Sequence, residues 1–101
     1  MTYHGIKIDD DRIRAFCKAN GIVRFALFGS ILRDDFTPES DVDVIVEFSS
    51  DTGIGLFGIA RLERELSDMF GRTSEIHTYN GLHPKYRDEV LCSAEVRYEQ
   101  A

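Results

Sequence analysis

Cysteine, runs of basic residues and long apolar stretches are all scarce in this sequence of 101 residues. The two cysteines, Cys17 and Cys92, are separated by most of the chain, and each sits beside apolar neighbours. Neither forms a zinc-ligand spacing with the scattered histidines His4, His77 and His83, so a structural metal knot is excluded. Both read as small buried thiols in a reducing compartment rather than as a disulfide. Twelve Lys and Arg stand against eighteen Asp and Glu, a net charge of −6, and no basic cluster interrupts the excess. Duplex DNA and anionic membranes are bound by neutralising their charge, so direct non-specific nucleic-acid binding is not expected. The longest uncharged apolar-rich run, residues 52–60, falls far short of the roughly 20 residues that cross a bilayer. The N-terminus lacks the basic-then-apolar order of a signal peptide, which leaves a cytoplasmic protein with no membrane partner as the expectation. No repeat, linker or low-complexity tract divides the chain, so residues 1–101 are expected to form a single domain.

What is present is an ordinary globular mixture, 43% apolar and 30% charged, with clear hydrophobic periodicity. Asp9-Asp10-Asp11 opens a helix carrying Ile13, Phe16 and Cys17, and Asn20-Gly21 ends it. The β-branched and aromatic run 22–28 is a strand between glycines, and residues 42–48 (VDVIVEF) give the strongest strand pattern. Between them lie the turn Gly29-Ser30 and a polar segment broken by Pro38. Apolar residues from Leu56 to Phe70 recur at helical spacing and stop at Gly71. A more polar strand over 73–79, a helix begun by Pro84 and reaching about Cys92, and a short edge strand over 95–98 complete the order. This predicts an α+β fold, a small mixed sheet of three or four strands with helices packed mainly on one face.

Three features carry chemistry. Gly29-Ser30 ends a strand and opens a short helix, where backbone approach and exposed N–H groups suit an anion. Asp41 and Asp43 are spaced to project from one face of an apolar strand, a costly position unless a shared hard cation, such as Mg²⁺ carrying substrate phosphates, removes their repulsion. Asp9 and Asp11 have the same spacing but sit at a helix start, where solvation suffices. Glu75, with His77 two positions later on the same face, lies on the strand after the long helix.

Gly29-Ser30, followed ten residues later by Asp41-x-Asp43 in an apolar strand, resembles the signature of the DNA polymerase beta-like nucleotidyltransferase superfamily. The string FGSILRDDFTPESDVDVIVEF is similar through most of its length to the minimal nucleotidyltransferases of prokaryotic two-gene toxin–antitoxin modules, and Gly71-Arg72 and LHPKYRDEVL fall where that branch carries similar stretches. The resemblance implies a nucleotidyltransferase fold and two Mg²⁺ ions in the active form. It further implies transfer of a nucleoside monophosphate, AMP from ATP or another nucleoside triphosphate, onto a hydroxyl of a partner HEPN-type toxin. It makes Asp41, Asp43 and Glu75 the catalytic and metal-binding residues, and Gly29, Ser30 and Arg33 the nucleotide-binding ones. Where the family commonly has Asp, this chain has Glu75, which moves the carboxylate by about one methylene; displacements near 1 Å cost about 10²-fold in rate. An alternative is therefore a catalytically impaired binding module that neutralises its toxin by contact alone. A plain α+β domain with solvated aspartates is the third reading. Leu82, Tyr86 and Val90 are candidates for a partner surface or for the core.

Overall fold

The computed structural model describes residues 2–34, 36–37, 39–49, 55–78 and 84–100. Ten short elements follow one another: β1 (Thr2–Tyr3), β2 (Ile6–Lys7), α1 (Asp10–Asn20), β3 (Ile22–Phe28), a 3₁₀ turn (Gly29–Leu32), β4 (Val42–Phe48), α2 (Leu56–Phe70), β5 (Ser74–Thr78), α3 (Pro84–Ser93) and β6 (Glu95–Glu99). The main sheet has the order β5-β4-β3-β6. β4 and β5 are parallel, while β3 pairs antiparallel with both β4 and β6. The expected mixed sheet is present with four strands.

Each element has a local cause. Asp9 caps α1: its carboxylate accepts the N–H groups of Asp11 and Arg12 at 3.0 and 3.3 Å, satisfying donors that the helix leaves unpaired. Both α1 and α2 end at a glycine in the left-handed conformation, Gly21 and Gly71. The parallel pairing of β4 with β5 requires a long crossover, and α2 supplies it.

Strand alternation then decides which face is covered. Val42, Val44 and Val46 of β4 join Ile22, Phe25 and Leu27 of β3 and Ile76 of β5 in the core, beneath Ile13, Phe16 and Cys17 of α1 and Leu62, Leu66 and Phe70 of α2. The intervening residues Asp43, Ile45 and Glu47 belong to the opposite face. There Arg24, 2.9 Å from Glu99 and 3.7 Å from Glu47, lies with Ala26, Ile45 and Val96 around a cavity of about 170 Å³. The register of β3 on β6 slips by one residue after Phe25. The slip lets Arg97 turn toward α1, where its guanidinium meets both Asp10 carboxylate oxygens at 2.8 and 2.9 Å.

Two findings depart from the sequence reading. A small hairpin, β1–β2, precedes α1, turning through His4 and Gly5 at positive φ. Cys92 is exposed rather than buried, because α3 presents it outward at its C-terminal end; Cys17 is buried as expected. Burial pushes the Cys17 thiol up to about 12.

Candidate active site

β3, β4 and β5 bring their site residues to one end of the sheet because β3 runs toward it while β4 and β5 run away from it. Phe28 pairs with Asp43, and Asp43 pairs with Glu75. Three neighbouring strands thus place an aromatic ring and two carboxylates in a row on the face opposite α1 and α2.

β5 is held firmly despite lying at the sheet edge. Its N–H groups at Ser74 and Ile76 donate to Ser67 Oγ at 2.9 Å and Glu63 Oε2 at 2.8 Å, both on α2. These bonds occupy an edge that otherwise invites another chain. With Ser74 and Ile76 turned inward, Glu75 and His77 both project from the open face.

His77 joins them from the same face of β5. Its Nε2 lies 3.6 Å from Asp43 Oδ1, and its ring meets Phe28 edge-on at 5.2 Å between centroids. The Asp43 carboxylate facing Nε2 raises the imidazole above its ordinary value against the opposing effect of burial, and the charges of Glu75 and Glu63 add to the rise. One donor atom from each of Asp43, Glu75 and His77 falls within 4.8 Å of the others. Asp43 and His77 are three-quarters and two-thirds buried, while Glu75 is exposed, so the group opens to solvent on its β5 side.

The Gly29 turn closes over this group. Gly29 has φ +79°, and a Cβ there would stand 2.8 Å from Asp43 Oδ2. Two requirements, a left-handed backbone and no side chain against the carboxylate, therefore fix glycine at this position. Ser30 follows, half-buried in the 3₁₀ turn, with its carbonyl accepting the Arg33 N–H at 2.9 Å. Beyond the turn opens a cleft of about 600 Å³ lined by Phe28, Gly29, Leu32, Arg33, Glu89, Val90 and Ser93. It lies between the turn and α3, whose contribution includes Glu89 and Val90 of the LHPKYRDEVL stretch. Of the three C-terminal apolar candidates, Val90 lines this cleft; Leu82 and the Tyr86 side chain lie outside the described residues.

Asp41 stands apart from the cluster. It is exposed, one position before β4 begins, and reaches the site end through the segment before it. Arg72 organises that segment: its Nη2 donates to the carbonyl oxygens of Thr37 and Ser40, and its guanidinium sits 4.8 Å from the centroid of the Phe36 ring. Phe36 in turn stacks on His4 at 4.8 Å, so the small N-terminal hairpin buttresses the approach to Asp41. Arg72 was visible in the sequence only as part of a family-like stretch; its anchoring of residues 36–40 needs the fold.

A carboxylate pair with an imidazole, beneath a glycine turn and beside a cleft large enough for a nucleotide, suits a phosphate and a cation. The family described as nucleotidyltransferase domain matches residues 11–96. The chain belongs to that family. A Methanocaldococcus jannaschii chain provisionally named a protein adenylyltransferase is 36% identical to this nucleotidyltransferase over 75 residues, spanning 74% of this chain and 78% of its own length. A solved structure provisionally described as a minimal nucleotidyltransferase is 32% identical and covers 86% of this chain and 94% of its own, with a TM-score of 0.66. A chain in the structure of a tri-AMPylated Shewanella oneidensis HEPN toxin in complex with an MNT antitoxin covers 90% of this one and 70% of its own, with a TM-score of 0.66. At 14% identity, that last likeness is one of fold.

Proposed function

We propose that this nucleotidyltransferase moves AMP from ATP onto a hydroxyl of a partner HEPN-type toxin, and that it acts in the cytoplasm as the antitoxin of such a pair. The observation that carries the reading is the row Phe28, Asp43, Glu75 across three strands, roofed by Gly29 and opening onto the cleft that Arg33 lines. The names borne by the Methanocaldococcus relative and by the Shewanella complex support the donor and the kind of acceptor.

The residues fit a divalent cation, since the Asp43 and Glu75 carboxylates and the His77 ring each bring a donor atom within 4.8 Å of the others. Bound there, two Mg²⁺ ions would neutralise charge on the triphosphate and acidify the attacking hydroxyl. Asp43 and Glu75 would hold the cation from β4 and β5, and Asp41, exposed one position before β4, would join them from the segment that Arg72 anchors. Gly29 and Ser30 present the turn to the triphosphate, and Arg33 adds positive charge at the cleft. The acceptor oxygen attacks the α-phosphorus, the bond to the bridging oxygen breaks, and pyrophosphate leaves. Glu75, from β5, would accept the hydroxyl proton.

The test is transfer of label from α-labelled ATP to the purified partner. We expect labelled partner with the native chain and none with Asp43→Asn of unchanged thermal stability; equal labelling by the two would refute the assignment. Toxin neutralisation that survives Asp41→Asn with Asp43→Asn in co-expression would instead establish a module acting by contact alone.

A further inference from the structure

Beyond the carboxylates, we propose that His77 is a direct metal ligand, and that Asp43, Glu75 and His77 form a nucleotide-independent site that prefers a transition-metal divalent cation over Mg²⁺. The inference rests on the cation-binding part of the reading above, and it assigns a donor and a selectivity that the carboxylates alone do not.

Four observations carry it. The Nε2 atom, not merely the ring, faces Asp43 Oδ1, and the 3.6 Å between them exceeds an ordinary hydrogen bond. Ligands about 2.1 Å from a shared ion stand about 3.0–3.4 Å apart in octahedral or tetrahedral arrangements, so a small side-chain adjustment brings both onto one cation. The third donor comes from Glu75, two residues from His77 on the same face of a strand whose edge α2 has pinned through Ser67 and Glu63. The Phe28 ring fixes the orientation of the imidazole from one side. A group assembled from two strands and held by a third packs its donors before any nucleotide arrives.

The chemistry of the donors sets the choice of ion. Mg²⁺ is a hard cation that takes oxygen ligands and gives up water reluctantly, whereas imidazole suits Zn²⁺, Ni²⁺ and Cu²⁺. Mn²⁺ is the weakest of the transition ions at such a donor, so an advantage for Mn²⁺ over Mg²⁺ is the most stringent reading of the preference. A nitrogen among the first ligands therefore raises affinity for the transition ions without helping Mg²⁺. Mg²⁺ at higher concentration, and Mg²⁺ brought by the triphosphate, remain able to serve the same carboxylates.

Mn²⁺ is the probe, because its electron paramagnetic resonance reports binding and ligand type with neither ATP nor a partner present. At one fixed pH, the full chain should bind Mn²⁺ at least about tenfold more tightly than Mg²⁺. The bound ion should show a directly coordinated nitrogen in its electron spin-echo spectrum. His77→Gln should erase the nitrogen coupling and most of the Mn²⁺ advantage while leaving Mg²⁺ affinity unchanged; thermal melting of each variant verifies the fold. Bound Mn²⁺ without nitrogen coupling in the native chain would overturn the proposal, whatever the variants do. Equal affinities for the two ions would overturn it too. Failure of AMP transfer with the Mn²⁺ site intact counts against the proposed function and leaves this assignment standing, so the two readings fail separately.

Discussion

Asp9-x-Asp11 and Asp41-x-Asp43 have the same spacing and lie in the same chain, yet the fold uses them in opposite ways. Asp9 is consumed by the backbone: its carboxylate accepts two N–H groups at the start of α1, and Asp11 pairs with Arg14 at 2.6 Å on the exposed side of the same helix. Asp43 is set within an apolar strand, facing a histidine, a glycine and a second carboxylate strand. Carboxylate spacing alone thus says little. The surrounding hydrogen-bond supply determines whether a charge is already satisfied or is left available for a ligand.

The comparison is broken most severely at Asp43. Asp43→Asn keeps the size of the side chain and removes its charge, so label transfer from ATP should fall by about 10³-fold, of the order seen when one stabilising group is lost from a reacting centre. Asp9→Asn should leave transfer at the native level, because Asn caps a helix about as well as Asp. Parallel transfer assays of the two variants check this directly. Equal losses would mean that the two pairs differ less than their surroundings indicate.

Gly29→Ala comes next and separates function from stability. The added methyl meets Asp43 Oδ2, the far end of a side chain that can swing aside, so the fold survives. Holding alanine at a left-handed φ costs about 1–2 kcal/mol. The displaced carboxylate should lower transfer by about 10²-fold, the penalty for misplacing a reacting group by about 1 Å. Denaturant unfolding beside the transfer assay reads both quantities. A stability loss with full activity would show that Asp43 has a second productive position.

How much of this arrangement the sequence discloses depends on whether the cause is local. β3, β4 and α2 have the bounds that periodicity predicts, because each alternates or repeats long enough to average out its polar members. The hairpin β1–β2 escapes notice, since two-residue strands have no period to read. Gly29, Asp43 and Glu75 are visible as a spaced motif, but the inclusion of His77 depends on the register of β5 against β4, which involves residues more than thirty positions apart. Arg72 is hidden for the same reason: its partners Thr37 and Ser40 are close only after α2 has carried the chain back across the sheet. Cys92 misleads because its apolar neighbours suggest burial, whereas a helix buries one side and exposes the other.

Removing the cap altogether gives a smaller effect than either site variant. Asp9→Ala leaves the Asp11 and Arg12 N–H groups without their carboxylate and should cost about 1 kcal/mol, the usual loss for a capping residue. For a domain of this size that lowers the melting temperature by roughly 4–8 °C. Transfer measured well below the melting temperature should be unaffected, and a drop there would link α1 to the site.

Asp11→Asn should have the smallest effect of all. Its pair with Arg14 is short, but both side chains are mostly in water, at 84% and 56% exposure. Exposed pairs three residues apart contribute only about 0.3–0.5 kcal/mol, and salt screens them. Asn also keeps the side chain's size and polarity, so the remaining change is the loss of one charge near the positive end of a helix. Melting curves at low and high salt should therefore differ slightly between native and variant at low salt and converge at high salt. A difference that persists in high salt would mean Asp11 shares the capping role with Asp9, and the two aspartates of this pair would then act together as backbone acceptors.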